Sequence, residues 1–83
     1  METIRTKELS KMISYCIDGK VSEETIGDIL KLAGDTIASA ASRGHPVHIA
    51  RFGTFKPNNR GWIRFTPART LKNRFRRLKE KIT

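Results

Sequence analysis

The sequence predicts an α+β domain with element order ααβββα, and three observations predict it. Two stretches before Gly44 carry apolar residues at helical spacing. A middle stretch alternates apolar and polar residues between clusters of turn formers. A proline then introduces a last stretch with a narrow apolar seam among basic residues.

Leu9, Met12, Ile13, Cys16 and Ile17 fall at i, i+3, i+4, i+7 and i+8, one apolar stripe of a first helix. Thr6 is its expected N-cap, although Glu8 stands one residue early for a strict capping box. Asp18-Gly-Lys20 breaks the period, and Gly19 suits the left-handed position after a helix end. Ser22 caps a second helix whose first turn holds Glu23 and Glu24, carboxylates at the positive end of the dipole. Ile26, Ile29, Leu30, Ala33 and Ile37, with Ala38, Ala40 and Ala41, carry it to about Arg43, where Gly44 and Pro46 stop it. Residues 6–43 thus read as a helical hairpin.

The period then changes. Val47-His-Ile-Ala50 alternates as a half-buried strand does, and Arg51-Phe-Gly53 interrupts it with a glycine suited to a tight turn. Thr54-Phe-Lys56 and Trp62-Ile-Arg-Phe65 are two further strands, joined as a hairpin by Pro57-Asn-Asn-Arg-Gly61. Ile63 and Phe65 share one face of the third strand, Trp62 and Arg64 the other. Pro67 is placed near the first turn of the last helix, about 67–82, whose seam is Leu71, Phe75, Leu78 and Ile82. All 83 residues read as one domain, with strands over about 47–65.

Composition excludes several classes. At 9.4 kDa the chain is expected to bury only about 60–65% of its unfolded surface. One cysteine, Cys16, excludes an intramolecular disulfide framework and leaves zinc short of ligands; His45 and His48 do not make up the deficit, so no metal or other cofactor is expected. Cys16 itself reads as a buried small hydrophobe. No apolar run approaches about 18 residues, and the opening residues are too polar for a secretory signal. No paired carboxylates, nucleophile triad or glycine-rich phosphate loop supports catalysis or a small-molecule substrate.

Charge is unevenly placed. Residues 1–42 hold five basic and seven acidic groups; residues 43–83 hold twelve basic groups against Glu80 alone. The halves carry −2 and +11, giving the formal +9. Solubility does not require +11 in 41 residues, so the distribution points to a polyanion, nucleic acid before anionic membrane. Phe52, Phe55, Phe65 and Phe75 crowd into 24 residues, more than one face of a three-stranded sheet readily covers. Burying each is worth roughly 1.5–3 kcal/mol, which favours a symmetric dimer with a shared core over a monomer roofed by its helical hairpin.

These residues resemble a known family. Ile49-Ala-Arg-Phe-Gly-Thr-Phe55 is similar to the strand and phenylalanine-glycine turn of bacterial HU/IHF histone-like DNA-binding proteins. Phe65-Thr-Pro-Ala-Arg-Thr-Leu-Lys72 resembles the proline-led stretch that opens that family's last helix, and Arg5-Thr-Lys-Glu-Leu9 matches in spacing. The resemblance implies an intertwined homodimer with a helical base and a β saddle facing double-stranded DNA. Phe52, Phe55 and Phe65, with Leu71 and Phe75, would be the shared core, and Arg5, Arg69 and Lys72 would contact phosphate. It also implies a cytoplasmic, nucleoid-associated architectural protein rather than an enzyme.

The chain departs from the family in three places. Only the nine residues Lys56 to Arg64 join Phe55 to Phe65, where relatives have a long β-arm with an apolar wedge that kinks the duplex. Arg51 and Ala68 stand where the family has glycine, and the last helix continues as Arg77-Leu-Lys-Glu-Lys-Ile-Thr83. The expectation is a sequence-nonspecific DNA-binding dimer that bends DNA little, with Arg51, Arg60, Arg64, Arg69, Lys72, Arg74, Arg76 and Lys79 supplying phosphate contacts. Arg74 and Lys79 flank the seam and could instead cover it with their methylene stems. Trp62, with Pro57, could act as a short wedge or stack on bases, or pack on the hairpin or a partner subunit; His48, on the outward strand face, could touch phosphate. An armless regulatory subunit that heterodimerises with a long-armed relative is the alternative function. Phosphate recognition alone does not separate RNA from DNA, and a seam of four residues is too narrow to favour a membrane.

Overall fold

The computed structural model describes residues Glu2–Ile82; Met1 and Thr83, the ends of the expected domain, lie outside the described residues. The elements are α1 (Thr6–Cys16), α2 (Glu23–Ser42), β1 (Val47–Ile49), β2 (Gly53–Pro57), β3 (Ile63–Pro67) and α3 (Arg69–Ile82), in the ααβββα order read from the sequence. The chain divides into two compact units, Met1–Thr36 and Ile37–Thr83, with α2 running through both.

In the first unit, α1 is capped one residue earlier than expected. Arg5 is the N-cap, extended at φ −95° and ψ 175°, and its carbonyl accepts the Leu9 N–H at 2.9 Å. Thr6 is therefore inside the helix and caps nothing; its own carbonyl accepts the Ser10 hydroxyl at 2.7 Å. At the far end, Asp18 and Gly19 are both left-handed, at φ 57° and 69°. The Gly19 N–H reaches the Ser14 carbonyl at 2.8 Å and the Asp18 N–H the Tyr15 carbonyl at 3.1 Å, which is a Schellman closure. Ser22 caps α2 as expected, its Oγ accepting the Thr25 N–H at 3.2 Å.

The buried side of α1 differs from the one its apolar stripe suggests. Ser10 and Ser14 are its buried residues; Leu9, Met12 and Cys16 are exposed and Ile13 is half-buried. Close approach explains the difference. A Cβ on Gly27 would lie 3.4 Å from Ser10 Oγ, a spacing that only small side chains permit. Each serine hydroxyl also bonds a carbonyl, Ser10 to Thr6 and Ser14 to Val21 at 2.9 Å, so burial leaves neither unsatisfied. The apolar stripe is turned aside, and Cys16 with it.

In the second unit, α2 ends on a Schellman closure around Gly44 at φ 88°, with His45 N–H on the Ala40 carbonyl at 3.1 Å. The sheet order is β1-β2-β3, antiparallel throughout, with Val47 opposite Phe55 and Phe55 opposite Phe65. Pro67 is not in the helix: it closes β3 opposite Gly53, and α3 starts at Arg69. The residue before a proline is steered toward extended backbone, so Thr66 and Pro67 continue the strand. Trp62 precedes β3 instead of opening it.

Two residues exchange expected roles at the β1–β2 turn. The turn is closed by Phe52 N–H on the Ile49 carbonyl at 3.0 Å, and its left-handed residue is Arg51 at φ 66°, not Gly53. Gly53 opens β2 at φ 155°, where a Cβ would stand 2.5 Å from Phe65 Cε1 and 2.6 Å from the Thr66 carbonyl oxygen. The missing side chain makes room for the Phe65 ring. Gly53→Ala is expected to lower stability by about 2–4 kcal/mol in urea denaturation, whereas Gly34→Ala, with open space inside α2, should raise it by roughly 0.5–1 kcal/mol. Equal and small effects at both positions would contradict this packing.

Candidate nucleic-acid interface

Strand alternation gives the sheet two unlike faces. Val47, Ile49, Phe55, Ile63 and Phe65 share one of them through the pairings Val47 to Phe55 and Phe55 to Phe65. The Phe55 and Phe65 centroids are 4.8 Å apart, and Phe52 joins them at 6.1 Å and 5.8 Å, edge-on to Phe65. Such ring pairs contribute about 0.5–1.5 kcal/mol each beyond their buried area. The cluster is still open: Phe52 and Phe65 remain 47% and 41% exposed.

Among the described residues the buried hydrophobic side chains are Ile26 and Ala41. The chain leaves 7666 Å² accessible, against about 5,000 Å² for a compact monomer of its mass and about 6,000 Å² for two separate globules sharing that mass.

The opposite face is polar and basic. Lys56 pairs with Arg64 and Thr54 with Thr66, and His48 Nδ1 shares a 2.9 Å hydrogen bond with Thr54 Oγ1. Like charges directly across a ladder destabilise a sheet unless an anion lies over them. At the β1–β2 turn stands Arg51, held in a backbone region that costs a non-glycine residue about 1–2 kcal/mol. At the hairpin tip the Asn58 side-chain oxygen accepts the N–H groups of Arg60 at 2.9 Å and Trp62 at 3.0 Å, while Asn58 N–H bonds the Trp62 carbonyl at 2.9 Å. These bonds fix the tip that carries Arg60 and Trp62. Trp62 is 68% exposed, and with Pro57 and Ile63 it lines a cavity of about 360 Å³ against Ala38, Ala41 and Gly44.

α3 opens with Arg69 and Lys72 and has no carboxylate in its first turn, where the helix dipole is positive. Arg74 and Arg76 follow on its exposed surface. The Lys79 Nζ lies 5.8 Å from the Phe75 ring centroid, so this lysine sits on the seam. Leu71 and Phe75, expected in a shared core, are exposed here.

Of the expected phosphate-contacting residues, Arg64 is in the polar sheet face, Arg51 and Arg60 are in the turn and hairpin tip, and Arg69, Lys72, Arg74, Arg76 and Lys79 are on α3. Arg5 belongs to the other unit, as the N-cap of α1. Lys56, Thr54 and Thr66 complete the polar face and were missed. Counting alternate residues back across the hairpin from Arg64 would have found them. No group of three or more metal-ligating side chains occurs among the described residues, and no helix there is long and apolar enough to cross a membrane.

The family model described as bacterial DNA-binding protein matches residues 4–73. A solved structure of a mutant of HU from Thermotoga maritima is similar at 27% identity and TM-score 0.73, covering 86% of this chain and 97% of that one. No curated protein matches the chain.

Arg51→Gly separates backbone strain from binding. It should raise the thermal stability of the protein by about 1 kcal/mol, because glycine tolerates φ 66°, while weakening duplex binding in a gel-shift titration. Unchanged or tighter binding would show that the strained arginine serves no contact.

Proposed function

Because the chain belongs to the bacterial DNA-binding protein family, of HU/IHF type, we propose that two copies close their phenylalanine faces on each other and present the basic strand faces to duplex DNA. The observation that carries this reading is the two-faced sheet. One side holds the half-open Phe52, Phe55 and Phe65 cluster, and the other sets Lys56 opposite Arg64. A second copy would cover the first side, and a phosphate backbone would relieve the repulsion on the second. The family is architectural, not enzymatic.

The contacts are to phosphate. Lys56 and Arg64 from the sheet, Arg51 and Arg60 from its turn and hairpin tip, and Arg69, Lys72 and Arg76 from α3 supply charge without a fixed pattern of base-edge donors. Binding is therefore largely indifferent to sequence. Association releases counterions in proportion to the phosphates neutralised, which makes affinity fall steeply with salt.

Bending is slight. β2 and β3 have five residues each, roughly 17 Å of strand, and the tip between them is five residues closed by Asn58. A hairpin of that length leans on one groove edge and does not wrap the duplex. Trp62 at the tip could at most widen a groove locally.

A gel-shift titration of duplex DNA at several salt concentrations tests the reading. Micromolar or tighter binding is expected, with log K falling linearly in log salt at a slope of about 0.9 per phosphate contacted. Energy transfer between dyes at the two duplex ends should change little on saturation. No shift at low salt would overturn the proposal, and strong bending would overturn its armless part.

A further inference from the structure

α3 runs on past the residues this chain shares with its family. The family match ends at residue 73, yet the helix continues to Ile82. The added turns keep an apolar seam and leave it open, with Phe75 and Ile82 65% and 85% exposed and Leu78 exposed between them. In helical projection Arg74 and Lys81 border that seam on one edge, seven residues and so two turns apart.

α2 has the complementary pattern. Its exposed apolar stripe is Ile29 and Leu32, and Asp28 and Asp35 border that stripe on one edge, also seven residues apart. α2 holds Glu23, Glu24, Asp28 and Asp35 against Lys31 alone, whereas α3 holds seven basic residues against Glu80 alone.

We infer that the extended α3 of one copy docks its Phe75, Leu78 and Ile82 seam on the Ile29 and Leu32 stripe of the second copy's α2, with Arg74 and Lys81 facing Asp28 and Asp35. The inference rests on the dimer proposed above and adds a second, reciprocal contact to it. Charge selects the occupant. Two copies of α3 would set seven cations against seven, and α1, which also exposes Leu9, Met12 and Tyr15, carries Lys7 and Lys11 against Glu8. The i, i+3 spacing of Ile29 and Leu32 matches the i, i+3 step of Phe75 and Leu78, so the two ridges can interlock.

Charge exchange between full-length variants tests this. The first variant is Asp28→Lys with Asp35→Lys; the second is Arg74→Glu with Lys81→Glu. Each alone should dimerise about tenfold or more weakly than the unmodified protein in sedimentation equilibrium, because each sets like charges across the contact. Mixed one to one, with one variant carrying a mass tag, they should form a heterodimer close to the original affinity. In that heterodimer both reciprocal contacts regain opposite charges. A contact within one chain predicts no such rescue, because each chain keeps its own mismatch. Variants that dimerise normally, or mix without rescue, would overturn the inference and leave the proposed function standing. An unmodified protein that never dimerises would overturn that function itself.

Discussion

Three phenylalanine rings govern the rest of this chain. Phe52, Phe55 and Phe65 meet within about 6 Å of one another, yet two of them stay nearly half exposed. The local backbone serves the cluster. Gly53 has no side chain because the Phe65 ring occupies its space, and the register that sets Phe55 opposite Phe65 also sets Gly53 opposite Pro67. With that register fixed, period-two alternation leaves Lys56, Arg64, Thr54 and Thr66 no place except the other face. The apolar core and the basic surface are thus two consequences of one strand pairing. A one-residue slip would exchange them.

On the proposed reading, the same pairing supplies what the missing arm does not. Lys56 and Arg64 repel each other in the free protein, and Arg51 holds a backbone conformation better suited to glycine. Both features lower stability slightly, and both place positive charge where a polyanion would offset it. On the proposed reading a short hairpin does not reach around a duplex, and the binding energy comes from this denser basic face and from α3. The added turns of α3 carry cations and an open apolar seam together, which fits a helix serving both DNA and a second copy.

Much of this was legible in the sequence because it rests on local rules. Helical period, Ser22 and Gly44 as helix boundaries, and the turn-rich Pro57–Gly61 segment located the elements within a residue or two. The phenylalanine-glycine and proline-led motifs pointed to the family. What escaped depends on contacts between elements. Ser10 and Ser14 turn inward only because Gly27 permits close approach and nearby carbonyls accept their hydroxyls, so the stripe of Leu9, Met12 and Cys16 gave the wrong face. Gly53 read as a turn glycine because its real constraint, the Phe65 ring, comes from another strand. Pro67 read as a helix start because either a strand end or a first helical turn accepts a missing N–H. Lys56 was overlooked because its partner Arg64 lies across the hairpin.

On the proposed reading, one chain cannot close its own core. The dependence of the thermal midpoint on protein concentration, read alongside solution mass, tests it most directly. A shared core predicts a species of twice 9.4 kDa whose midpoint rises steadily with concentration, since folding and association are then one equilibrium. A folded 9.4 kDa monomer whose midpoint is the same at every concentration would contradict it.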